Sequence, residues 1–257
     1  MVTLSDPGRR SLLIGGAAAA GVAVAAARVA PAKTLAPIEG PWAIELFTSQ
    51  GCNSCPPADG FLGKLAKRPD IVALSFHVDY WDYIGWKDPF ASRETTERQR
   101  AYARVLKQRY VYTPEMVVDG IGHDTGREPG PIEALLSKAQ VLSPQRATPE
   151  LSRTSGGPLT IKLAAFALQS GPADVTLAIY DRRNNTPVAS GENQGRTLEN
   201  FNIVRQLEVI SRWDGSPASW TIAGDRIQPT QGVAVLVQRA DHGPMIGCNK
   251  LEPAYSG

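Results

Sequence analysis

The sequence has few of the residues that carry metal and redox chemistry: three cysteines, three histidines and three methionines in 257 residues. So small a cysteine set excludes a fold stapled by many disulfides. A structural zinc site wants four thiolates or imidazoles at close spacing, and no second pair accompanies Cys52 and Cys55. Charge of one sign is also lacking, since 27 Lys and Arg against 25 Asp and Glu leave +2. That balance removes the electrostatic case for nucleic acid. No internal repeat is visible. The apolar stretch after Arg10 is short and made of Ala and Gly rather than Leu, which favours a cleaved segment over a membrane anchor.

What is present reads as a globular chain, 42% hydrophobic and 20% charged. Its length allows one large domain or two modest ones, and 24 Gly with 20 Pro call for many turns. At the N-terminus, Arg9-Arg10 precede an apolar stretch that runs to Ala27, with small residues at Ala30-Pro31-Ala32. This is the pattern of an export signal, and the paired arginines suggest the twin-arginine route. Cleavage after Ala32 would remove Arg9, Arg10, Arg28 and Asp6 and leave a neutral chain without a stable membrane anchor. The expected location is periplasmic or secreted.

Residues 33–40 read as a linker. Trp42–Thr48 is a mostly apolar run suited to a buried strand. Pro56–Lys67 reads as a helix, with two prolines in its first turn. Ile71–Val78 is a second buried strand, so the three form a right-handed βαβ unit with parallel strands. Helices are expected over Ser92–Gln108 and Pro131–Ala139, and a strand over Met116–Asp119. After Ser143 the texture changes. Leu159–Phe166, Val175–Tyr180, Ile203–Ile210, Trp220–Ile222 and Val233–Gln238 are short strand candidates separated by turn residues, which suggests an all-β module.

The main chemical signal is Cys52-Asn53-Ser54-Cys55 where the first strand hands over to the helix. A helix N-terminus stabilises a thiolate on the first cysteine, and the second is close enough to attack a mixed disulfide formed by the first. A zinc half-site and a permanent loop staple are the competing readings. Cys248 has no partner in the sequence and reads as a small buried residue.

The order strand, C-x-x-C, helix, strand, helix, X-Pro, strand resembles the thioredoxin fold. More narrowly, Glu45–Pro57 (ELFTSQGCNSCPP), His77–Phe90 (HVDYWDYIGWKDPF), Tyr112–Gly120 (YTPEMVVDG) and Gly191–Thr197 (GENQGRT) resemble a bacterial family of exported thioredoxin-like proteins of unknown function. The resemblance implies an α/β thioredoxin-like domain (residues 41–142) followed by a β-rich, sandwich-like domain (residues 150–253). It also implies a cis bond between Thr113 and Pro114, with that pair facing the dithiol and touching the substrate.

The function expected is thiol–disulfide exchange with protein or small-molecule thiols and disulfides: Cys52 exposed and attacking, Cys55 shielded and resolving, Thr113 and Pro114 orienting the substrate. No cofactor and no resident metal is called for. The alternative is a copper(I)-handling or partner-binding protein without turnover. His77 and Asp79 close the second strand, on the sheet edge where Cys52 follows the first. His77 is open to three readings: a structural residue bound to a carboxylate, an acid–base group, or a metal ligand. Glu45 lies inside an apolar strand, one residue out of register with the buried acid of thioredoxin. It is either a proton acceptor or a carboxylate reaching the sheet edge. Trp81, Asp82 and Trp86 form an aromatic, acidic segment suited to binding substrate or to ordinary packing. The Gly191–Arg196 segment is expected to bring the β-rich half over the dithiol edge.

Overall fold

The computed structural model describes residues 40–253, so the expected export segment lies outside the described residues. Strand β1 (Trp42–Thr48) leads through the cysteine turn into helix α1 (Pro56–Leu65), and β2 (Ile71–His77) returns parallel to β1 in full register. A 3-10 segment (Asp79–Ile84) follows, then α2 (Arg93–Val105), β3 (Glu115–Val118), β4 (Gly122–Asp124) and α3 (Pro129–Leu142). The rest is strand apart from one 3-10 turn: β5 (Glu150–Arg153), β6 (Leu159–Leu163), β7 (Ala173–Pro187), β8 (Thr197–Trp213), β9 (Ala218–Ile222), β10 (Gln231–Arg239) and β11 (Met245–Leu251).

The expected fold class, a thioredoxin-like α/β domain followed by a β-rich domain, is overturned by the pairing of these strands. One mixed eight-stranded sheet runs β11-β10-β7-β8-β2-β1-β3-β4, so four strands of the second half and four of the first lie side by side in a single structure. The join is β8 beside β2, parallel, with Ser75 opposite Ile203. A second sheet, β5-β6-β9, has three strands. The described residues all fall in one compact unit.

The side chains show why the halves cannot separate. Successive residues of a strand point to opposite faces. On one face Phe47, Leu74 and Phe76 from the first half share a core with Tyr180, Ala234, Leu236 and Met245 from the second, under Tyr102 of α2. On the other face α1 and α3 cover Trp42, Ile44, Leu46, Ile71 and Ala73. The three-stranded sheet covers Val175, Leu177, Ile179, Val233, Val235 and Val237. The first half of β7, through Tyr180, and β10 are therefore buried on both faces, and their near-continuous apolar runs follow from that.

Candidate redox site

The cysteines lie between β1 and α1. The turn after Thr48 is closed by the Cys52 amide donating to the Ser49 carbonyl at 3.1 Å. Cys55, not Cys52, is the residue that caps α1: its carbonyl accepts from the amides of Ala58 (2.9 Å) and Asp59 (3.1 Å). Pro56 and Pro57 fill the first helical positions, where missing N–H groups cost little. Cys52 and Cys55 form a disulfide with Cα atoms 5.5 Å apart. The hydroxyl of Ser54 lies 3.3 Å from the Cys52 sulfur.

Neither cysteine is open to solvent. Cys52 is 1% exposed and Cys55 is fully buried, so the expected exposure of Cys52 is not met in the disulfide form. The cover comes from the tip of the β7–β8 hairpin. The Asn193 side-chain amide donates to the carbonyls of Gln50 (2.9 Å) and Cys52 (3.0 Å), and a Glu192 carboxylate oxygen accepts from the Asn53 amide at 3.1 Å. The Gly191–Arg196 segment thus reaches the dithiol as expected, although it belongs to the same sheet and not to a second domain.

A buried polar cluster lies at this end of the sheet. Asp59 follows Cys55 by one helical turn, which sets both side chains on one side of α1. Its carboxyl is pushed up to about 7, because burial disfavours the charge more than His77, Thr48 and Asn200 favour it. His77 is fully buried, with Nδ1 2.7 Å from an Asp88 oxygen. Burial works against its charge, but Asp88 outweighs that and raises the pKa of His77. Asp88 is held below the usual carboxylate range: burial opposes this, and His77 with the amides of Gln50 and Phe90 overcomes it. Together these shifts favour a His77–Asp88 ion pair beside an Asp59 carboxyl that gains and loses its proton near pH 7. The same Asp88 oxygen accepts the Gln50 amide at 2.8 Å, tying the cluster to the cysteine turn. His77 Nε2 and the hydroxyls of Thr48 and Ser75 are buried without hydrogen-bond partners. All three belong to the sheet face that carries α1.

The remaining candidates divide. Trp81 connects the cysteine turn to the X-Pro pair. Its indole N–H donates to Thr113 Oγ1 at 2.7 Å, and its Cβ packs so close to Gly51 that a methyl there would sit 3.2 Å away. The Thr113-Pro114 bond is cis. Glu115 pairs with Phe47, which puts Pro114 at the end of β1 where the cysteine turn starts. Trp86 donates to the Gln50 side-chain oxygen at 3.2 Å. Asp82 accepts the Asp88 amide at 3.2 Å and so helps position the partner of His77. Asp79 is spent on Thr96, whose hydroxyl donates to it at 2.7 Å. Glu45 points to the opposite face of the sheet, where Arg98 (3.0 Å to Nη2) and the Tyr102 hydroxyl hold it. One residue of register decides this, because each step along a strand changes face. Among the described residues, no group of three or more His, Cys, Asp or Glu is arranged to hold a metal.

Matching against known families covers residues 43–238, from β1 through the cysteine turn, the His77 cluster and the hairpin tip to β10. The chain belongs to the family described as protein of unknown function (DUF1223). A crystal structure of a protein from Agrobacterium tumefaciens is similar: 33% identical, with a TM-score of 0.74, covering 86% of this chain and 98% of that one. No curated protein matches.

Two residues of this DUF1223 site, Asp59 and Asn200, lie outside the motifs, and four lie inside them without a role that the motif assigns: Gln50, Asp88, Glu192 and Asn193. Asp59 had a signal, since helical spacing puts it with Ala58, Leu62 and Leu65 among the buried positions of α1. An acid at such a position is there for its chemistry or its partners. Asp88 ends the aromatic, acidic segment that was noticed for its tryptophans. Asn193 lies in the Gly191–Arg196 segment expected over the dithiol edge, but its contacts, like those of Asn200, depend on a strand pairing 140 to 150 residues away from the cysteine turn, and for Asn200 there was no signal.

Proposed function

We propose that this DUF1223 protein exchanges thiols and disulfides at Cys52 and Cys55 outside the cytoplasm. The observation that carries this reading is a C-x-x-C disulfide capping α1 beside a buried carboxyl whose pKa is raised to about 7. The likeness to thioredoxin-like proteins is local. It consists of β1, the cysteine turn, α1 and parallel β2, with Pro114 at the end of β3's neighbour β1. Export rests on the Arg9-Arg10 segment and on the stability of disulfides in oxidising compartments.

Cys52 is the attacking sulfur, since the Ser54 hydroxyl can support its thiolate and it lies on the side of the turn that faces the hairpin tip. Cys55 resolves. A substrate disulfide attacked by the Cys52 thiolate loses one sulfur as a thiol and leaves the other on Cys52. The Cys55 thiol then gives up its proton and attacks Cys52, releasing the second substrate thiol and closing the disulfide. Asp59, one turn from Cys55, is the nearest acid on the same helix to hold that proton, and burial, only partly offset by His77, keeps its carboxyl able to do so near neutral pH. Trp81 holds Thr113 against the turn that a substrate must contact.

The test is trapping in the periplasm. Cys55→Ser should accumulate mixed disulfides on Cys52 that reductant releases, whereas Cys52→Ser should accumulate none. Equal trapping by both variants, or by neither, would count against exchange and favour a permanent loop staple.

A further inference from the structure

We propose that Glu192 selects the thiols that react at Cys52, favouring cationic substituents over anionic ones. This rests on the exchange reading above. The hairpin tip is firmly placed. Asn193 is fully buried, its amide serves two carbonyls of the cysteine turn, and its oxygen accepts from Arg196 at 2.7 Å. Gly191, with φ +77°, packs against Trp86, where a methyl would sit 3.2 Å from the tryptophan Cβ. From this base Glu192 extends along the surface and accepts the amide of Asn53, the residue next to Cys52.

A carboxylate is therefore fixed beside the dithiol, on its solvent side. Two other charges are close. Asp88 is internal and neutralised by His77. Arg196 reaches the turn only through Asn193, one side chain further away. Glu192 is thus the charge that an incoming thiol meets first.

The reaction that reads this out is reduction of the disulfide by a small thiolate. The thiolate attacks the Cys52 sulfur, the Cys52–Cys55 bond breaks, and its electron pair leaves on Cys55, which takes a proton. A second thiolate then attacks the mixed disulfide, so two thiols are oxidised to one disulfide while Cys52 and Cys55 are reduced. The substituent of the first thiol passes Glu192 in the rate-setting attack. Opposite charges on two thiols, each about 7 Å from a carboxylate in water-like surroundings, separate their rates by about sevenfold without screening and about fivefold at low ionic strength.

The experiment measures reduction of the oxidised protein by 2-aminoethanethiol and by 2-mercaptoethanesulfonate. Their rate ratio is divided by the same ratio on bis(2-hydroxyethyl) disulfide. At low ionic strength the protein should favour the cationic thiol about fivefold. Glu192→Gln keeps the oxygen that accepts from Asn53 and should bring the ratio near one. Glu192→Lys should reverse it, and 0.5 M salt should shrink every departure from one. A ratio that is the same in all three proteins, with reduction intact, overturns the role of Glu192. Failure of either thiol to reduce the disulfide at all overturns the exchange reading itself.

Discussion

Asp59 is a buried acid of the candidate site, and its charge has a thermodynamic signature. Its carboxyl ionises near 7 in the folded chain and near 3.8 when free of it, so the folded state binds the extra proton between those values. Stability therefore falls as pH rises across that window, by at most about 1.4 kcal/mol per pH unit for one proton. His77, whose pKa is raised, loses its stabilising contribution only as pH climbs beyond 6.5, and Asp88, whose pKa is lowered, acts below 3.8. Asp59→Asn removes the Asp59 share. The oxidised variant should gain stability relative to the parent protein steadily from pH 4 to pH 7, measured as the difference in Tm by circular dichroism. A difference that stays constant over this range would show that Asp59 is not the group that titrates.

Helix α1 carries the dithiol, and one glycine sets how closely it packs on the sheet. A methyl on Gly63 would come within 2.5 Å of the Phe201 ring of β8. The glycine is therefore required by a close approach, although alanine is the better helix former. Gly63→Ala should cost about 1–3 kcal/mol through overpacking, seen as a Tm lower by several degrees. An unchanged or higher Tm would mean that Phe201 moves aside freely. The same closeness explains how the hairpin tip finds the cysteine turn: α1 rests on β8, and β8 continues from the tip. At the other end of this contact, the Asn202 side-chain amide donates to the Ala73 carbonyl of β2 at 2.8 Å.

At the largest scale, the described residues are organised by one eight-stranded sheet that both halves build, with cores on both of its faces. Its first half ends, in space, at β2, whose far edge is covered by β8. A fragment stopping at residue 142 would expose that edge and leave Phe47, Leu74 and Phe76 without Tyr180, Ala234 and Leu236. Such a fragment should lack dispersed amide signals in an NMR spectrum, while residues 33–257 together should unfold in a single transition. Independent, cooperative folding of residues 41–142 would show that the shared core is dispensable.

The sequence by itself determined the local elements around the dithiol. Trp42–Thr48 is the strand expected, and the second strand, the three helices and five later strands fall where hydrophobic period and turn residues put them. These readings succeed because period, caps and prolines act within a few residues. Missed were β4 and β5, which have too few residues to show a period, and also β11 and the outer stretches of β7 and β8, whose mixed polar residues mark no buried face. The division into two domains was legible as a change of texture but wrong as architecture. An apolar strand shows that it is buried, not which strand lies beside it. That choice belongs to the tertiary structure, which paired β8 with β2 and joined the halves. It also assigned the carboxylates. Glu45 and Asp59 are both acids in apolar surroundings near the cysteines, but strand parity sends Glu45 to Arg98 on one face while helical spacing leaves Asp59 beneath Cys55 on the other. The lid of Glu192 and Asn193 was decided the same way, by a pairing between residues some 140 positions apart, over which no local pattern extends.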